Sequence, residues 1–316
     1  MLLALSFPAQ AQQAGQVYRI GVLLSGSLAM TAPMIDAFRQ GLRELGYVEG
    51  KNFILEFREA KGKRDQFANL AAELVRLKVD IIFVTGGPSI IRAVKKATST
   101  IPIVMRVSTD PVRRKLIDSL AHPGGNITGV FSINAGLLGK RMELLAEVVP
   151  GLERVAVLSS RPKLKGRNFY KELVAAARAL GVKLQILKAR DANAIDSAFL
   201  EMTKGRADAL TIIPSTRYFY HRKHILTGAA TNRLPLICTQ SVWVEDGCLM
   251  SYGANYPYQH RRSAIFVDKI LKGAKPADLP AEQAIKYELV INLKTARQIG
   301  LRISPSILYR ADKVIK

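Results

Sequence analysis

Twice in succession the sequence alternates a short apolar run with an amphipathic stretch of helical period, and this rhythm constrains the fold more than any other feature. In the first set, "YRIGVLLS" (18–25), "NFILEFRE" (52–59), "VDIIFVT" (79–85), "IPIVMRV" (101–107) and "NITGVFS" (126–132) read as strands. Helices are predicted between them over Ala32–Leu45, closed by Gly46, over Gln66–Leu77 and over Ser89–Ala97. The second set restarts with a helix over Leu138–Val149. It continues with the strands "ERVAVLSS", "VKLQILKA", "ADALTIIP" and "LPLICT", separated by helices over Asn168–Leu180, Ala194–Thr203 and Tyr218–Thr231. Strands spaced by helices of this length build βαβ units with parallel sheets, so the chain is read as α/β with two lobes of similar size.

The last sixty residues do not make a third lobe. "LMSYGAN" reads as a strand, Tyr258–Leu271 as a long helix, "GAKPADLP" as a break, and "IKYELVINLKTARQIG" as one more strand and helix. These segments are expected to return to the lobes already present, so that the chain crosses between them several times.

Lysine and arginine (47) outnumber aspartate and glutamate (25), a formal charge of +22. That excess suits a polyanion, an anionic surface or an acidic ligand, and does not choose among them. The runs "VRRK" (112–115), "RPKLKGR" (161–167) and "HRR" (260–262) carry much of it, yet no helix-turn-helix, zinc finger or aromatic RNA-binding signature accompanies them, and no nucleic-acid partner is expected. The opening "MLLALSFPAQAQQ" joins a short apolar run to Ala9-Gln10-Ala11, the small-x-small pattern of a signal peptidase site. Residues 1–11 are therefore read as the remnant of a signal peptide, and the mature chain as exported and freely soluble. Cys238 and Cys248 are the only cysteines. In an oxidising compartment they can pair across a turn; two buried free thiols fit the spacing equally.

"TGGPSII" (85–91) has the outline of a phosphate loop, but it satisfies neither G-x-x-x-x-G-K-[ST] nor G-x-G-x-x-G. It does place Thr85, Gly86, Gly87 and Ser89 between a strand end and a helix start, where free amides favour an anion such as a carboxylate. Similar hydroxyl-rich loops recur at "LSGSLA" (24–29), "VSTDPV" (107–112), "LSSRPK" (158–163) and "IPSTRY" (213–218). In open α/β sheets ligands collect beyond the carboxyl ends of the strands, so two facing lobes would bring five such loops to one cleft. There is no G-x-S-x-G elbow and no H-E-x-x-H, and His221 and His224 lack a third metal ligand. Asp110 has no partner for base catalysis and reads as a turn cap or a ligand contact. Neither catalysis nor a cofactor nor a metal is expected.

Longer segments carry a resemblance. "AFRQGLRELGYVEGKN", "AAELVRLKVDIIF", "SLAHPGGNITGV", "GKRMELLAEVVPGLERVAVL", "VDKILKGAKPADLPAEQ" and "YELVINLKTARQIGL…RADKVI" look like the substrate-binding proteins of ABC importers, in the tryptophan/tyrosine-type branch, over essentially all of residues 17–316. The resemblance implies a type I periplasmic binding protein. Its two flavodoxin-like, Rossmannoid lobes would be joined by a three-crossing hinge, with residues 17–132 plus 255–283 in the first lobe and 133–254 plus 284–316 in the second. It implies a small-molecule ligand, an aromatic amino acid or a related aromatic or carboxylic acid, held between the lobes and delivered to an ABC permease. A ligand-sensing module for a membrane-bound regulator is the competing role.

Carried over residue by residue, the ligand-binding set is Ser25, Gly26, Thr85, Gly86, Gly87, Ser89 and Asp110 on one lobe. On the other it is Ser160, Arg161, Ser215, Thr216, Arg217 and Trp243, with Tyr252 near a crossing. Trp243, the single tryptophan, reads either as an aromatic lid stacking on the ligand or as packing within its lobe. Where the family pattern has small or neutral residues, this chain has "SSRPKLKGR" and Arg217, so the cleft is expected to be cationic.

Overall fold

The computed structural model describes residues 17–133, 137–161, 168–284 and 286–316; the signal-peptide remnant lies outside the described residues. Five strands come first: β1 (Tyr18–Leu24), β2 (Phe53–Glu59), β3 (Ile81–Gly86), β4 (Ile103–Val107) and β5 (Ile127–Phe131). They are followed by β6 (Arg154–Ser159), β7 (Lys183–Lys188), β8 (Ala209–Ile212), β9 (Leu236–Cys238) and β10 (Met250–Ala254). The tail supplies β11 (Glu282–Gln283), β12 (Tyr287–Asn292) and β13 (Lys313–Ile315).

These strands form two sheets, in the orders β11-β5-β4-β3-β1-β2 and β13-β12-β10-β9-β8-β6-β7. Every pairing in the first sheet is parallel. In the second the one antiparallel pairing among the described strands is β10 with β12; between them the chain passes through the Tyr256–Leu271 helix and β11 of the first sheet. The fold is thus the α/β architecture with two parallel-rich sheets that the strand and helix periodicities predict.

The central parallel strands are buried on both faces, as their unbroken Ile/Val/Leu runs require, while the edge strands β2 and β7 are half-exposed. On the first sheet Leu23, Ile82, Val84 and Met105 pack under the Phe67–Arg76 and Pro88–Ala97 helices. Ile20, Val22, Phe83 and Val104 pack under the Leu28–Glu44 and Tyr256–Leu271 helices. Phe38 and Phe83 stack there, 4.4 Å between ring centroids. Gly41 lets those two helices approach closely, since a Cβ on it would sit 2.7 Å from the carbonyl of Arg261. Each fully buried side chain of this size contributes about 1.5–3 kcal/mol, so the late helix is an integral part of the first lobe's core.

Three connections join the sheets: after β5, after β10, and between β11 and β12. They are hydrogen-bonded to one another. Asn255 N donates to Lys286 O at 2.8 Å and Ala284 N to Phe131 O at 3.1 Å, Asn255 Nδ2 to Glu288 Oε2 at 2.8 Å, and Tyr287 Oη to Ile133 O at 3.2 Å.

Some elements differ from the sequence expectation. The helix expected over Tyr218–Thr231 is broken at His221 into Thr216–Tyr220 and Arg222–Thr231. Arg222 turns inward there, its guanidinium 4.7 Å from the Phe219 ring and paired with Asp246. Short elements too small for a periodicity to register also appear: β11, β13, and the helices Ser241–Glu245 and Pro305–Arg310.

Cys238, ending β9, is disulfide-bonded to Cys248, just before β10, and both are fully buried. Replacing both by alanine is expected to lower unfolding free energy by roughly 3 kcal/mol or slightly less, the chain-entropy value for so short a loop. Urea denaturation of the oxidised protein beside the double variant measures this directly.

Candidate functional site

The parallel strands deliver their carboxyl-end loops to one edge of each sheet, and on the first sheet these loops are laced together through backbone. Ser25 N donates to Thr85 O at 3.3 Å, Gly62 N to Ser25 O at 2.9 Å and Lys61 N to Gly26 O at 3.3 Å. Ser25, Gly26, Thr85 and Gly86 are thus brought side by side. Gly86 has φ +151°, and a Cβ on it would lie 2.8 Å from Ser25 Oγ. Only glycine suits that position. Gly87 and Ser89 are exposed at the start of the Pro88–Ala97 helix, with Pro88 as its first residue. Asp110 Oδ1 accepts from Val112 N at 2.9 Å and Arg113 N at 3.0 Å, so this oxygen holds its own loop in a turn.

On the second sheet Ser160 Oγ donates to Ser215 Oγ at 2.8 Å, joining the β6 and β8 loops. Ser215 Oγ caps the next helix through Arg217 N, and Thr216 is that helix's first residue. Two cations border this pair through backbone carbonyls: Arg190 Nε donates to Ser160 O at 3.2 Å and Arg217 Nη1 to Arg190 O at 3.3 Å. Arg161 is exposed, with its guanidinium 5.8 Å from the Phe169 ring. Tyr252 is half-buried beside Tyr287.

Trp243 departs from the lid expectation. It is 2% exposed inside the second lobe's core, edge-on to Phe219 at 6.3 Å, and it packs with Leu236, Tyr218 and Val244. A large apolar ring gains more from full burial than from one face held at a solvated cleft.

The two lobes touch. A Cβ on Gly62 of the first lobe would lie 2.8 Å from the ring of Tyr220 on the second. Pro33 and Met34 face Gln240, Ser241 and Val242 across a cavity of about 60 Å³, which Tyr256 also lines. Pockets that hold drug-sized ligands measure roughly 300–1,000 Å³, so this cavity is too small for one.

Sequence reading passed over the residues beneath the connections: Arg106, Arg141, Tyr256, Gln259 and His260. The available signal was Arg106 itself, a lone charge inside the apolar run "IPIVMRV". His260 is buried with Nδ1 2.8 Å from Tyr256 O. Burial, helped by the neighbouring Arg106 charge, pushes its pKa down to about 3.

The sequence model of the family described as "ABC transporter substrate binding protein" matches residues 22–315. The chain belongs to this family. It is 24% identical over 275 residues to the tyrosine-binding protein of Clostridioides difficile (strain R20291), covering 85% of this chain and 78% of that one. Among solved structures it is similar to a conserved domain protein from Vibrio cholerae, with TM-score 0.81, 26% identity, and coverage of 94% of this chain and 99% of that one. It is also similar to the ABC domain in complex with L-Trp from Streptococcus pneumonia, with TM-score 0.80, 25% identity, and coverage of 95% and 100%. This substrate-binding protein therefore has the two-lobed type I periplasmic binding protein fold.

Two outcomes follow for it. Gly86→Ala is expected to destabilise by about 1–3 kcal/mol through forced backbone and crowding of Ser25. Gly87→Ala, at φ −86° and with nothing within 4 Å of where the Cβ would lie, is expected to be near neutral; urea midpoints of the two variants make the comparison. For His260, the unfolded chain takes up a proton near pH 6.5 and the folded one only near pH 3. The unfolded state therefore binds more protons across that window, and stability falls with pH by up to about 1.4 kcal/mol per unit below 6.5. His260→Gln is expected to flatten this part of the pH–stability curve, measured by urea unfolding at pH 7, 6 and 5.

Proposed function

We propose that the protein is the soluble periplasmic receptor of an ABC importer, a monomer that captures a small organic ligand between its lobes and hands it to a membrane permease. The ligand is an aromatic amino acid or a related aromatic or carboxylic acid. The observation that carries this reading is the pairing of hydroxyl-bearing loops at the carboxyl ends of parallel strands on both lobes, Ser25 with Thr85–Ser89 on one and Ser160 with Ser215 on the other. Binding of tyrosine and of L-Trp by members named above supports the ligand class, and the buried disulfide supports an oxidising compartment.

One helix terminus contributes only about 0.3–1 kcal/mol to an anion, whereas a micromolar ligand needs about 8 kcal/mol. Both lobes must therefore contact the ligand, and closure supplies the second set of contacts. Arg161, Arg190 and Arg217 beside the Ser160–Ser215 pair make the second-lobe rim cationic, which draws in an acidic ligand and disfavours a purely basic one.

A thermal-shift panel of L-tryptophan, L-tyrosine, L-phenylalanine, aromatic acids, dicarboxylates and sugars tests the reading. A ligand at 100 times its dissociation constant is expected to stabilise by about 2.7 kcal/mol. Hits confined to sugars, or turnover of any hit, would overturn it. Arg161→Ala and Arg217→Ala are expected to weaken acidic hits more than neutral ones, and undiminished binding in both variants would refute the cationic rim.

A further inference from the structure

Beneath the connections between the lobes, two guanidinium groups are buried without an acid. Arg106 on β4 is 6% exposed and Arg141 on the Leu137–Val148 helix is 2% exposed. They come from different lobes, and both lie near Tyr256, the first residue of the Tyr256–Leu271 helix. The Arg106 guanidinium lies 3.7 Å from the Tyr256 ring centroid, and Arg141 is within electrostatic range of Tyr256 and Tyr252. Arg106 Nε donates to Gln259 Oε1 at 2.9 Å and Arg141 Nε to Tyr252 O at 2.8 Å. Arg106 Nη2 is buried with no hydrogen-bond partner.

No ion pair among the described residues involves either arginine. His260, the other titratable group against Arg106 with Tyr256, is neutral at physiological pH and supplies no negative charge. A buried cation with no counter-charge weakens a fold, and here two are placed together at the amino end of a sixteen-residue helix, whose amides also favour an anion. A carboxylate matches the guanidinium fork in charge and shape. The Tyr256 ring is the wall between this pair and the cleft: it lines the interlobe cavity, and Ser108 Oγ donates to its Oη at 3.3 Å.

We infer that Arg106 and Arg141 form an anion seat at the hinge, reached when Tyr256 swings aside, that receives the carboxylate of the ligand or an inorganic anion in its place. The inference rests on reading the protein as a receptor for small acids, and it names the group such a ligand presents and the residues that hold it.

The test is a calorimetric titration of the intact protein and Arg106→Met with L-tyrosine, L-tryptophan, tyramine and tryptamine, alongside melting temperatures of both proteins without ligand. The wild type is expected to bind the amino acids about 100-fold more tightly than the amines, and Arg106→Met to lose that preference. Because the arginine serves an anion and not the fold, Arg106→Met without ligand is expected to melt at the same or a higher temperature. A variant that melts lower yet keeps the preference, or a wild type that binds tyramine as tightly as tyrosine, would overturn the seat.

If neither amino acid nor amine binds the wild type, the ligand class of the receptor reading fails, and the seat is judged by melting both proteins in benzoate, succinate, chloride and gluconate at equal ionic strength. Stabilisation by benzoate or succinate that Arg106→Met lacks assigns the seat to a ligand carboxylate. Stabilisation by chloride alone assigns it to an inorganic ion. Equal behaviour of the two proteins in all four salts overturns it.

Discussion

The cleft depends on three stretches of backbone lying against one another. Each connection between the sheets is hydrogen-bonded to a neighbour through Asn255, Ala284 or Tyr287, so the three form one bonded unit. Rotation about that unit keeps each lobe rigid, because each sheet is covered by helices and its apolar residues are already buried. A single connection would let the lobes drift in every direction; three joined ones restrict the motion to opening and closing. The strand-end loops are likewise held within their own lobes, through Ser25 with Thr85 and Ser160 with Ser215.

The lobes also touch at their rims. Tyr220 lies against Gly62, and Met34 faces Ser241 and Val242 across a cavity of about 60 Å³. In a binding protein that closes on its ligand, lobe contacts of this kind form together with the ligand's own and share in its affinity.

Much of this was legible in the sequence because parallel strands covered on both faces must be apolar without interruption, and the helices between them must be amphipathic. "VDIIFVT" and "ERVAVLSS" have no other comfortable conformation. The loop positions followed from the strands, since a parallel strand ends where its crossover begins. What stayed hidden depends on tertiary neighbours. Whether Trp243 faces a ligand or the core is decided by Phe219 and Tyr218, distant in spacing from any pattern around the tryptophan itself. Arg106 and Arg141 are 35 positions apart, on a strand of the first lobe and a helix of the second, and only the tertiary fold brings both near Tyr256. The break at His221 likewise reflects Arg222 finding Phe219 and Asp246.

The Tyr256–Leu271 helix belongs to the core of the first lobe although it follows almost all of the second in the chain. Its packing against Leu28–Glu44 joins residues more than two hundred positions apart. Contacts of that span form late, since the loop they close is large and its entropy must be overcome before packing rewards it. During synthesis the first sheet therefore emerges with one face uncovered, and it stays incomplete until the chain is nearly finished. Until then the first lobe lacks a complete core, however many of its strands have already been made.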